Sequence, residues 1–173
     1  MTYVDKTFLP MFNEFGGFKR ITREFDFLLA LIIGISSAII VGYLDITTTI
    51  INTLCPLFIT ISATMIAIAI AGLAIIASLS DPNFIKILKK VDIYNRILFF
   101  FYFSAVISGL SIIVNIFTYI SPFFIHKSLI FTILLGLSTF LVLYSLFAVI
   151  LLVGTTMRYG IYRGAFITEE KIS

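Results

Sequence analysis

Four residues set the chemical question. Ser104, Ser108, Ser111 and Asn115 are spaced four, three and four apart within an otherwise apolar stretch. On a helix they fall within about 60° of arc, so one face carries them all. Hydroxyls and a carboxamide in hydrocarbon need a hydrogen-bond partner or water. Two arrangements meet that need: hydrogen bonding between helices, or the lining of an aqueous path in an assembly of several chains. Groups for harder chemistry are missing. No Asp, Glu, Lys, Arg or His stands at mid-depth in any apolar stretch of the chain. Proton-coupled transport, voltage sensing and intramembrane proteolysis draw on such groups. Neither an enzyme, nor a metal site, nor a cofactor is therefore expected. His126 beside Lys127 reads as a solvated loop residue, and Cys55 beside Pro56 as a small apolar one. A lone cysteine forms no internal disulfide.

These residues need elements to hold them, and composition names the kind. Of 173 residues, 60% are hydrophobic and 12% charged, against about 25% charged in a soluble domain. With a mean hydropathy of +1.14, an ordinary soluble globule and a disordered chain are both excluded. Charged residues divide the chain into four apolar runs, each long enough to cross a bilayer once. They predict spans at about 27–44, 54–79, 97–120 and 130–155, within a transmembrane domain over 27–157. The polar opening of the second run, Ile46-Thr47-Thr48-Thr49, together with Pro56, places a first loop at about 45–53.

The basic residues predict orientation. Lys6, Lys19, Arg20 and Arg23 precede the first span. Lys86, Lys89, Lys90 and Arg96 lie between the second and third, and Arg158, Arg163 and Lys171 follow the fourth. All but one of the 12 Lys and Arg residues thus fall on one side, which the positive-inside rule makes cytoplasmic. The expected fold is an all-α integral membrane protein. It has four transmembrane helices, cytoplasmic N- and C-termini (tails 1–26 and 158–173) and short amphipathic cytoplasmic helices. The first span reads as a signal anchor rather than a cleaved leader, because its apolar stretch exceeds the usual 7–15 residues.

Small residues mark where membrane helices touch. Ala30, Gly34, Ala38 and Gly42 recur at steps of four in the first span. Thr60, Thr64, Ala67, Ala71, Ala74 and Ser78 do so at steps of four and three in the second. The fourth offers Thr132, Gly136 and Thr139, with Ser138 and Ser145 on a neighbouring face. Tight packing of a four-helix bundle accounts for such stripes. Phe99, Phe100, Phe101, Tyr102 and Phe103, at the cytoplasmic end of the third span, suit an interfacial belt or a hydrophobic constriction.

The cytoplasmic segments are amphipathic. Asp81 as N-cap and Pro82 as first helical residue open a short helix with Phe84, Ile85, Leu88 and Val91 on one face. Its lysines suit anionic lipid, or an acidic or nucleic-acid partner. In the N-terminal tail Phe8, Met11, Phe12, Phe15 and Phe18 recur at helical spacing, interrupted by Gly16-Gly17. That tail reads as an interfacial anchor, or as an apolar plug hinged at Gly16 and Gly17 with Phe8, Phe12 and Phe15 as the gate.

Four short-looped spans, an Ala/Gly/Ile-rich second span running into Ser80-Asp81-Pro82, and no catalytic set resemble the small membrane components of bacterial anti-phage defence operons. The chain looks somewhat like the channel-forming effector of Hailong systems and less like the membrane sensor of Kiwa systems. The resemblance implies a homo-oligomeric channel in the bacterial inner membrane, held shut until infection. A partner nucleotidyltransferase would make an oligonucleotide that keeps it closed. It also implies that Lys19, Arg20, Arg23, Lys86, Lys89 and Lys90 meet that anionic ligand or an operon-encoded cytoplasmic partner. The expected function is thus an oligomeric pore lined by Ser104, Ser108, Ser111 and Asn115 and gated from the cytoplasm. The alternative is a non-conducting sensor or scaffold that recruits its partner through Lys86, Lys89 and Lys90.

Overall fold

A computed structural model describes residues 25–44, 47–78, 85, 93–124 and 128–172. Four helices account for nearly all of them: α1 (Phe25–Leu44), α2 (Thr47–Ser78), α3 (Ile93–Ile120) and α4 (Ser128–Ile172), with a 3₁₀ turn at Ser121–Phe123. Each contains a segment long and apolar enough to cross a membrane: Phe25–Tyr43, Ile51–Ser78, Tyr94–Phe123 and Leu129–Gly164. The fold is the all-α, four-span architecture expected from composition. The N-terminal tail and the helix at Asp81 lie outside the described residues.

Two helices are longer than the hydropathy pattern predicts. α2 begins at Thr47, not near Leu54, and runs through Pro56. A proline inside a helix removes one backbone donor, and in membranes Thr side chains help accommodate it. Thr53 Oγ1 donates to the Thr49 carbonyl at 3.0 Å and Thr60 Oγ1 to the Pro56 carbonyl at 2.9 Å, on either side of the proline, while the carbonyl that loses its helical donor is that of Asn52. α4 likewise continues past Met157 to Ile172.

α4 is the hub. It packs against α1, α2 and α3, while α2 pairs most extensively with α3, and α1 and α2 barely meet. Gly34 of α1 faces Gly136 and Phe140 of α4, and Gly42 faces Thr132, so these two helices run antiparallel. A Cβ on Gly34 would stand 2.9 Å from both the Gly136 carbonyl oxygen and Phe140 Cβ. One on Gly136 would stand 2.8 Å from Ala38 Cβ. Glycine is required where backbones come this close. The small stripe of α1 is therefore its contact with α4.

The stripe on α2 is not an intrachain contact. Thr60, Thr64, Ala67, Ala71, Ala74 and Ser78 are all exposed, whereas Cys55, Ser62, Ala69 and Ile76 are buried. Those four recur every seven residues. On α3, Phe99 aside, the buried positions are Ile97, Phe101, Ser104, Ser108, Ser111, Asn115 and Thr118, at alternating steps of four and three. On α4 Phe131, Leu135, Ser138, Val142, Ser145, Val149 and Leu152 follow the same rule. A 3.5-residue repeat on each helix is the pattern of left-handed, coiled-coil-like packing.

Candidate functional site

The bundle reverses the layering of a soluble protein. Ile35, Ile70, Ile113, Phe117 and Ile150 project outward, while Ser62, Ser104, Ser108, Ser111, Asn115, Thr118, Ser138 and Ser145 are fully buried. Along α3 the polar series from Ser104 to Thr118 rises about 21 Å, a large part of a hydrocarbon core about 30 Å thick. All four predicted pore-lining residues stand on this one seam, inside a single chain, where α3 meets α2 and α4.

Two hydroxyl pairs tie the seam across helices. Ser62 Oγ and Ser111 Oγ lie 2.9 Å apart between α2 and α3. Thr118 Oγ1 and Ser138 Oγ lie 3.0 Å apart between α3 and α4. Thr118 also donates to the Val114 carbonyl at 2.8 Å; a hydroxyl has one proton, so Ser138 is the donor in the inter-helix pair. Asn115 Nδ2 donates to the Ser111 carbonyl at 2.8 Å and reaches Ser111 Oγ at 3.4 Å. Ser145 Oγ turns back to the Val142 carbonyl at 2.8 Å.

Not every polar atom is met. Ser104 Oγ, Ser108 Oγ and the Asn115 carboxamide oxygen are buried with no hydrogen-bond partner. Such groups cost about 1–3 kcal/mol each, and buried polar atoms in native proteins are seldom left so.

The seam is closed at both ends by apolar residues. At one end Ala69, Ile76, Ile97, Phe101, Leu152 and Tyr159 form a cluster. At the other, Val41, Ile51, Cys55, Phe131 and Leu135 form a second. Beside the first, Phe103 stacks on Phe99 with centroids 5.8 Å apart and meets Tyr144 edge-on at 6.1 Å. The aromatic run at the start of α3 is thus divided: Phe99 and Phe101 point inward, and Tyr102 is exposed. A separate groove of about 390 Å³ between α1 and α4, bounded by Leu31, Gly34, Ile133 and Phe140, is apolar throughout. No three His, Cys, Asp or Glu side chains come together among the described residues.

Spacing found Ser104, Ser108, Ser111 and Asn115 but missed Ser62, which pairs with Ser111, and Thr118, which pairs with Ser138. Ser62 is one member of the seven-residue series on α2, and Thr118 extends the α3 series by one step; continuing the 3.5-residue repeat would have found both. The candidate gate (Phe8, Phe12, Phe15, Gly16 and Gly17) and the candidate anion-binding residues (Lys19, Arg20, Arg23, Lys86, Lys89 and Lys90) lie outside the described residues. No protein-family model, no curated protein and no solved structure matches this chain.

Proposed function

We propose that the chain is a homo-oligomeric membrane channel whose permeation path follows the polar seam of α3. The observation that carries this reading is the set of unpartnered atoms, Ser104 Oγ, Ser108 Oγ and Asn115 Oδ1, aligned between two apolar clusters. A bundle selected for rigidity alone gains by satisfying or deleting such groups. A path that fills with water on opening needs them, because water or an ion then supplies the missing bonds.

The closed form has the features of hydrophobic gating. Ile97 and Phe101 at one end and Ile51 and Phe131 at the other present apolar surface, with the Tyr159 hydroxyl the polar atom beside them, so the narrow ends favour dewetting. Inter-helix hydrogen bonds in membranes average about 0.6 kcal/mol, and the seam has the pairs Ser62–Ser111 and Thr118–Ser138 to break. No charged ring lines the path, so the channel passes small ions with little discrimination. The uncovered Thr60, Thr64, Ala67 and Ala71 face of α2 is where copies of the chain meet. The N-terminal tail is the cytoplasmic gate of this reading.

Ion flux from liposomes carrying purified protein tests the reading, with the full chain and a variant lacking residues 2–18 measured side by side. Flux in the shortened chain with little in the full one supports a channel gated by the tail. Flux in both keeps the channel and removes the gate. No flux in either overturns the channel and favours recruitment of a cytoplasmic partner.

A further inference from the structure

Asp26 stands in the first turn of α1, half-buried, where the charged sequence gives way to the apolar span. It lines a small pocket of about 30 Å³ together with Phe100, Phe103, Tyr144 and Phe147. Among the described residues, no basic side chain lines that pocket. Phe100 follows Arg96 by one helical turn, so the pocket sits near the edge of the membrane rather than at its centre. A carboxylate at this edge of the membrane is stabilised by a counter-charge beside it. Aromatic rings favour the same occupant, since their faces attract cations.

The walls are built in advance. Tyr144 stacks on Phe140 with centroids 5.8 Å apart, and Phe27 meets it edge-on at 5.6 Å. Phe103 is braced between Phe99 and Tyr144. Size then narrows the choice. At about 30 Å³ the pocket suits a small head such as a primary ammonium better than a bulky quaternary one. We propose that the pocket binds a primary alkylammonium, with Asp26 as the counter-ion and the four rings as the cage. Such a group is supplied by the head group of an aminophospholipid or by a free amine.

Native mass spectrometry of the full chain in detergent tests this, with phosphatidylethanolamine and phosphatidylcholine of identical acyl chains as probes. The expected result is about tenfold stronger retention of the ethanolamine lipid, lost in Asp26→Asn and reduced severalfold in Phe103→Leu. Phe147→Leu, at the rim, gives a second test if Phe103→Leu misfolds; helicity and monodispersity report the folding of each variant. Displacement of the lipid by free ethylammonium extends the site to soluble amines, and retention in its presence assigns it to the lipid; both sustain the proposal. Equal retention of the two lipids by the wild-type chain overturns it, and leaves the counter-charge to the chain itself, where Arg23 stands three residues earlier. Undiminished preference in folded Asp26→Asn overturns it as well.

Discussion

Replacing Asn115 by Leu separates stability from conduction, because the two respond in opposite directions. Asn115 is fully buried and makes its short bond from Nδ2 to the Ser111 carbonyl at 2.8 Å. That carbonyl is also the helical acceptor for the Asn115 backbone N–H, so deleting the side chain leaves no orphan there. The loss is about 0.5–1.5 kcal/mol. Against it stands the Asn115 carboxamide oxygen, buried without a partner, whose removal recovers about 1–3 kcal/mol. Leu branches like Asn and is apolar, but it is the larger side chain, and at a fully buried position the extra bulk takes back part of that gain. The Ser62–Ser111 pair at 2.9 Å stays in place and loses only the long 3.4 Å approach of Asn115 Nδ2 to Ser111 Oγ. The two hydrogen-bonding terms bracket a variant from about 0.5 kcal/mol less to about 2.5 kcal/mol more stable, with the bulk of Leu drawing it toward the lower half, read as the shift of the unfolding midpoint in mixed micelles at rising dodecyl sulfate. The same variant removes the strongest polar group of the proposed path, so flux from liposomes should fall at least about tenfold, a barrier increase near 1.4 kcal/mol. A variant destabilised by well over about 1 kcal/mol that conducts normally would refute both halves of the reasoning: the oxygen would have a partner, and the seam would carry no ions.

Two further substitutions test the packing. Gly34→Val should cost about 1–3 kcal/mol, because the new Cβ meets the Gly136 carbonyl and Phe140 Cβ at 2.9 Å and neither can move aside. Gly154→Ala is the control: nothing lies within 4 Å of its added Cβ, and stability should hold or rise by up to about 1 kcal/mol. Ala71→Phe, on the exposed side of α2, should leave unfolding of the single chain unchanged while weakening self-association measured by crosslinking in liposomes. Undiminished crosslinking would move the contact between copies to another face.

What the sequence disclosed depended on how cleanly each helix separates its faces. α1 was legible because Ala30, Gly34 and Ala38 are small among Leu and Ile, and that stripe is the face against α4. α3 was legible because Ser and Asn stand out against Phe and Ile. α2 misled, since it carries small residues on more than one side: Ala63, Ala67, Ala71 and Ala74 are exposed, and Ala69 is buried. Side-chain size alone does not choose between these sides; the seven-residue step from Cys55 through Ser62 and Ala69 to Ile76 does. The ends of α2 and α4 were missed because hydropathy reports the apolar core, whereas a helix continues into the interface as long as its backbone bonds are made. Asp26 read as a boundary charge, and its aromatic neighbours come from α3 and α4, far away in sequence.

Cysteine accessibility tests the position of the path most directly, and the chain suits it because Cys55 is its single cysteine. In a Cys55→Ala background, Ser108→Cys places a thiol on the buried seam, Thr64→Cys on the exposed stripe of α2, and Ile113→Cys on the outward face of α3. A small water-soluble thiosulfonate is then added while ion flux from liposomes is followed. A path along the seam predicts block of Ser108→Cys and no effect at Thr64→Cys or Ile113→Cys. Block at Thr64→Cys with Ser108→Cys untouched would contradict the account and place the lumen between copies of the chain, along α2.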